Sequence, residues 1–111
     1  MKSLFQTLKL LIIKMKLYIV KYCANEYDDL GYDSAYPIFY SLDKKKAREF
    51  FEEHKERSIK HFNDFMKNHP EYDHNEDYQI TVNDNDNFEY SMGNWFYQYV
   101  YEEQELDKDL R

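Results

Sequence analysis

The sequence predicts an α+β domain in which an antiparallel sheet, laid out in the order ββαβββ, is covered on one face by a single long helix. Three observations carry that expectation. Short runs of alternating apolar and polar residues lie on both sides of one long segment with helical periodicity. Asx-rich and glycine-bearing stretches of hairpin length separate the later runs. No Pro/Gly/Ser-rich linker and no internal repeat divides the 111 residues, a length that fits one domain with one shared core.

Residues 17–23 gather β-branched, aromatic and aliphatic side chains, with Tyr18, Val20 and Tyr22 on one face and Leu17 and Ile19 on the other. They read as the first strand. Residues 24–35 include Asn25, Asp28, Asp29, Gly31, Asp33 and Ser34, which favour turns, so a loop is expected there. The strand pattern resumes over 36–42, where Pro37 suits the beginning or the edge of a strand.

The helix is expected from about Asp43 to about Asn68, roughly 39 Å at 1.5 Å per residue. Asp43 is placed to cap it, although Lys44, Lys45 and Lys46 in the first turn oppose the helix dipole. Ala47, Phe50, Phe51, His54, Ser58, Phe62, Phe65 and Met66 recur at three- and four-residue steps and form one mostly apolar stripe. Pro70 ends it. After a polar stretch, Tyr78, Ile80 and Val82 alternate with Gln79 and Thr81, and the NDNDN run at 83–87 reads as a hairpin loop. Phe88, Tyr90 and Met92 form the next strand, Gly93 and Asn94 a second turn, and residues 95–101 the last and most aromatic strand.

The domain is expected to occupy residues 15–111. Residues 1–14 carry Leu4, Phe5, Leu8, Leu11 and Ile12 at helical spacing, the pattern of a short amphipathic helix, and MKLYIVKY from Met15 reads equally as a start that would make them an upstream extension. Lys9, Lys14 and Lys16 interrupt the apolar run, which is too short to span a bilayer and lacks a cleavage site, so no membrane association is expected.

The net charge of −7 conceals a segregation. Residues 1–22 carry five lysines and no acid, 23–43 five acids and no base, 44–69 a net +3, and 70–111 a net −10. Nucleic-acid affinity comes mainly from Lys and Arg on phosphates, so direct DNA or RNA binding is disfavoured, with Lys44, Lys45, Lys46 and Arg48 as a small exception. Cys23 is alone and cannot form an internal disulfide. It is expected as a buried apolar side chain in a cytosolic protein rather than a nucleophile.

For chemistry the pattern is sparse. Two glycines cannot supply a phosphate-cradling loop, and no nucleophile with a base stands out, so neither an enzyme nor a cofactor is expected. Asp73, Asn75, Asp77 and Asp84 place oxygens at alternate positions followed by a late carboxylate, as in an EF-hand loop. Tyr78 stands where glycine is needed, and Asp84 replaces the bidentate Glu. His54, His61, His69 and His74 match no ligand spacing with specificity.

The C-terminal part interleaves carboxylates with rings. Trp95, Tyr97, Tyr99 and Tyr101 share one strand face and Phe96 and Val100 the other, followed by Glu102, Glu103 and Glu105. One face is expected against the helix and the other open. Aromatics rimmed by carboxylates suit a protein interface, which makes Trp95, Tyr97, Tyr99, Tyr101, Glu102, Glu103 and Glu105 the candidate partner-binding set.

Strand-like LYIVKY at 17–22, YDD at 27–29, IFYSLDKKKAREF from Ile38 to Phe50 and YVYEEQEL from Tyr99 to Leu106 are motifs that carry a resemblance. From Met15 onward the chain resembles small acidic, aromatic-rich proteins encoded by bacteria, phages and other mobile elements. That resemblance implies the ββα opening and a final strand, and no activity comes with it. The leading expectation is therefore a protein-binding module that regulates or inhibits a host protein, one form of it imitating DNA with carboxylates in place of phosphates. A calcium- or metal-binding protein using residues 73–84, and a homodimer joined through a strand edge, are the alternatives.

Overall fold

The computed structural model describes Leu4 and residues 15–26 and 35–106. Five strands and one long helix follow one another as β1 (Lys16–Glu26), β2 (Tyr36–Ser41), α1 (Lys44–Asn68), a 3-10 turn (Pro70–Tyr72), β3 (Tyr78–Asn83), β4 (Asn87–Met92) and β5 (Trp95–Glu105). The ββαβββ order expected from the sequence is the one found. The sheet order is β2-β1-β5-β4-β3, and every neighbouring pair is antiparallel. Of the N-terminal stripe only Leu4 is described, and it is exposed; the rest of that stripe, and loop residues 27–34, lie outside the described residues.

β1 and β5 pair without a break over eleven positions, from Lys16 opposite Glu105 to Glu26 opposite Trp95. Both strands outrun their sequence expectation. Asn25 and the Glu102–Glu105 stretch are poor strand formers, yet each finds a partner across the ladder. Lys21 Nζ lies 2.8 Å from Glu102, and Glu103 is met by Lys44 Nζ at 3.2 Å and Lys16 Nζ at 4.0 Å. Cross-strand charge pairing of this kind contributes only a few tenths of a kcal/mol each, but it removes the repulsion that a row of glutamates would otherwise impose.

Register fixes which side chains share a face. Tyr18, Val20 and Tyr22 lie beside Glu103, Tyr101 and Tyr99, and Tyr99 and Tyr97 beside Phe88 and Tyr90. That face meets α1: Val20, Phe88, Tyr90 and Tyr101 form one buried cluster with Ala47, Phe51 and Phe62 of the helix. The other face carries Ile19, Lys21 and Cys23 beside Glu102, Val100 and Gln98. There Cys23 is buried, and its Sγ lies 3.7 Å from Gln98 Oε1, while Gln98 Nε2 donates to Glu89 (2.9 Å) and Asn87 (3.1 Å). Burial and the nearby Glu89 push the Cys23 thiol up, so the protonated form is held.

The helix starts as its sequence directs. Asp43 Oδ1 accepts from the backbone N–H of Lys45 (3.0 Å) and Lys46 (3.4 Å), and Asp43 N–H donates to Ser41 Oγ. The buried positions Ala47, Phe51, Ser58 and Phe62 follow the four-, seven- and four-residue steps of one stripe. At the far end His69 N–H reaches Met66 O, and Pro70 opens the 3-10 turn. The β4–β5 turn depends on Gly93 at φ +65, a backbone that L side chains rarely adopt. A Cβ there would also stand 3.2 Å from Tyr78 Oη.

Phe51 is fully buried at the centre of this cluster. Phe51→Ala is expected to cost about 3–5 kcal/mol through lost burial and the cavity left behind. Asp43→Ala is expected to cost about 1 kcal/mol through the lost cap. Urea unfolding of the two variants against the parent checks both values; an F51A loss no larger than the D43A loss would contradict the assigned core.

Candidate protein-binding surface

The aromatic residues of β5 divide between core and surface. Tyr101 is only 7% exposed and Tyr97 and Tyr99 are half-buried, all three on the helix side. Tyr99 stacks on His54 (5.7 Å) and packs on Tyr22 (4.8 Å), Tyr97 stacks on Tyr90 (4.7 Å), and Tyr101 lies 6.3 Å from Phe51. These three rings hold the fold rather than an outward face. Trp95, 42% exposed, is the member of that row that reaches the surface. Among the acids, Glu102 and Glu103 are engaged by lysines, whereas Glu105 makes no salt bridge to a described residue.

Beside Tyr101 lies a polar cleft of about 280 Å³ lined by Lys44, Arg48, Asp86, Tyr101 and Glu103. Arg48 is its organising group. Its two terminal nitrogens donate to Asp86 Oδ1 (3.1 Å) and Glu52 Oε1 (2.8 Å), and its guanidinium lies 4.4 Å from the Tyr101 ring centre and 5.2 Å from that of Phe51. Lys55 Nζ donates to Asp84 O and Tyr101 N–H to Asp86 O, so the β3–β4 turn is tied to both α1 and β5. Within the cleft the charges are matched. Burial, then the Glu103 charge, pushes the Tyr101 hydroxyl up to about 12, and the hydrogen bond from Lys44 holds the Glu103 carboxyl below its usual range. At neutral pH neither group exchanges protons, and the cleft reads as a brace.

A different surface surrounds β3. No Lys or Arg occurs from 69 to 107, while ten carboxylates fall between 71 and 105. Asp73, Glu76, Asp77 and Asp84 are exposed and make no salt bridge with any described residue. Next to the first three stands a stack of rings. Tyr72 and Tyr78 lie 4.2 Å apart and nearly parallel, Phe65 stacks on Tyr78 at 5.8 Å, and His69 stacks on Phe65 at 4.3 Å. His69 Nδ1 lies 3.0 Å from Glu71 Oε1; backbone hydrogen bonding, then His69, holds that carboxyl low. Tyr78, Met92 and Trp95 fall in one cross-strand row over β3, β4 and β5, which begins in the stack and ends at the exposed indole.

Tyr72, Tyr78, Met92 and Phe65 are additions that sequence reasoning missed. The stacking runs through the 3-10 turn between α1 and β3, and no periodicity connects residues on the two sides of an irregular turn.

The oxygen set Asp73, Asn75, Asp77 and Asp84 is divided by the fold. β3 lies between Asp77 and Asp84, a span of about 20 Å for a six-residue strand. Asp84 is therefore not brought to the others. Asn75 Oδ1 instead accepts from Asp77 N–H at 2.9 Å, an Asx turn, and His74 takes a positive φ of 68 in the same bend. Among the described residues no three His, Cys, Asp or Glu side chains gather around a common point. His54, placed at the helix border by sequence, packs between Phe50 (4.2 Å) and Tyr99, and its burial lowers its basicity.

No family model, curated protein or solved structure matches the chain. No helix among the described residues is long and apolar enough to cross a membrane.

The raised tyrosines set an alkaline limit. Tyr22, desolvated and close to Tyr99, is also pushed up to about 12. A phenol whose folded pKa exceeds the ordinary value of about 10 favours the fold in full below that pH, and the contribution disappears as pH rises toward about 12. Alkaline unfolding is expected in that window, with Tyr22 and Tyr101 ionising only as the tertiary signal is lost. Ultraviolet phenolate absorbance followed beside near-ultraviolet circular dichroism checks this. Tyr22→Phe is expected to move the transition to higher pH, and ionisation of all twelve tyrosines ahead of unfolding would contradict it.

Proposed function

We propose that this chain is a small acidic protein-binding module of the cytosol that regulates or inhibits a partner protein by occupying a basic surface on it. The supporting observation is the coincidence, at one end of the sheet, of an exposed Trp95, the Tyr78–Met92–Trp95 row and the carboxylates of Asp73, Glu76 and Asp77, which make no salt bridge with a described residue. A cation gains twice there, from Coulomb attraction and from the ring faces. Desolvated aromatic and apolar side chains supply the affinity, and the carboxylates supply orientation and encounter rate.

A DNA-imitating form of this activity rests on the carboxylates around β3 rather than on those at the end of β5. Glu102 and Glu103 face lysines of their own chain, which lowers what they can offer to a basic groove. A partner recruited mainly by the unpaired acids would bind with strong salt dependence, and one held mainly by ring burial would not.

Trp95 is the chain's sole tryptophan, so its fluorescence reports binding directly. Titration with a short basic peptide and with a folded basic domain is expected to change that emission saturably. Affinity should fall roughly tenfold or more between about 50 mM and about 500 mM salt. An acidic peptide of the same length should produce no change. Asp73→Asn with Asp77→Asn is expected to weaken binding with little effect on the melting temperature, because neither side chain makes a salt bridge with a described residue. Absence of a response to either basic probe at low salt is the result that would sink the reading.

A further inference from the structure

Resting on the acidic, aromatic reading of this end of the sheet, we infer that the partner binds as an extended basic segment that adds a sixth strand along β3. β3 is the last strand in the order β2-β1-β5-β4-β3, paired with β4 on one side only. An edge strand presents backbone N–H and C=O groups to any chain that can lie beside it. Natural edges are guarded by lysine, proline, an inward charge or a bulge, and the β3 sequence YQITVN contains no lysine, proline or charge. A register shift between Ile80 and Val82 is the irregularity it carries.

The two edges of the sheet differ in what they admit. β2 carries Pro37, which offers no N–H, and leads through Asp43 into Lys44, Lys45 and Lys46. β3 has carboxylates at both ends that make no salt bridge with a described residue: Asp73, Glu76 and Asp77 before it and Asp84 after it, while the neighbouring Asp86 is held by Arg48. An incoming strand of about six residues spans the same roughly 20 Å, so cations at its two ends meet both groups.

Side-chain alternation adds a second requirement. Along β3 the residues Tyr78, Ile80 and Val82 are half-buried and Gln79, Thr81 and Asn83 exposed. Ile80 packs at the border of the core together with Met66 of α1. A strand laid beside β3 places its own alternate residues toward that border, which selects small apolar or β-branched side chains there and polar ones between. The inferred partner segment is therefore basic at its ends and alternating in its middle.

Two peptides test the inference on the full chain. One has Arg at both ends and alternating Val and Thr between; the other is identical but carries N-methyl groups on alternate amides, which preserves charge and side chains and removes strand pairing. The first is expected to bind at least tenfold tighter by Trp95 fluorescence, and to slow hydrogen exchange of β3 amides. Asp77→Asn with Asp84→Asn should weaken it by about tenfold. Equal affinity of the two peptides, or unchanged β3 exchange, overturns the strand-addition inference while leaving a basic-surface binder intact. Failure of both peptides and of a folded basic domain removes the underlying reading as well. Concentration-dependent protection of β3 in the protein alone would assign the edge to a second copy and overturn the basic segment.

Discussion

The eleven-residue ladder between β1 and β5 is the constraint from which the rest of the domain follows. It joins the first and last strands, so β2 can attach only outside β1, and β4 and β3 only outside β5. α1 leaves β2 at one edge and delivers the chain to β3 at the other, and must therefore cross the whole sheet. Its contacts record the crossing in order. Phe50 stacks on Phe39 of β2, Phe51 approaches Tyr101 of β5, Phe62 meets Tyr90 of β4, and Phe65 stacks on Tyr78 of β3. At 25 residues the helix is about 37 Å long, more than the roughly 19 Å between the outer strands of a five-stranded sheet. The cost is entropic, because the ladder closes a loop of some 80 residues before its contacts can stabilise anything.

That geometry also sorts the charges. The ladder lays Glu102 and Glu103 within reach of lysines from β1 and the first turn of α1, and Arg48 and Lys55 hold the β3–β4 turn. Around β3 the segment from 69 to 107 supplies no Lys or Arg, and the described bases nearby come from α1: Arg48 and Lys55 at the β3–β4 turn and Lys67 in the helix's last turn. The unpaired carboxylates of Asp73, Glu76, Asp77 and Asp84 are the remainder of this distribution, and the aromatic stack beside them is held by its own ring contacts.

Much of this was legible locally. Asp43, the stripe from Ala47 to Met66 and Pro70 define α1 because capping, burial and the missing proline N–H all act within a few residues. The Asx run and Gly93 define two turns for the same reason. Long-range properties were not legible. Nothing near Glu102–Glu105 in sequence indicates that the ladder would extend through it, since its partners lie some 80 residues earlier. Alternation placed Tyr97, Tyr99 and Tyr101 on one face, but the side that α1 takes is decided by the sheet order. The spacing of Asp73, Asn75, Asp77 and Asp84 suggests a common centre only while the intervening residues are imagined as a loop; as strand β3 they hold the ends apart.

An edge that pairs on one side only among the described residues is ordinarily a route to self-association, and here the flanking charge answers the problem in a particular way. Two copies of β3 brought together would set Asp73, Glu76 and Asp77 against Asp84 in an antiparallel pair, carboxylate against carboxylate at each end. Repulsion at both ends penalises that pairing while the backbone groups remain available. Lysines on the strand would have repelled a second copy equally well, but they would also have excluded a basic segment. Carboxylates at the ends discriminate by sign: the same groups that keep copies apart favour an extended cationic chain.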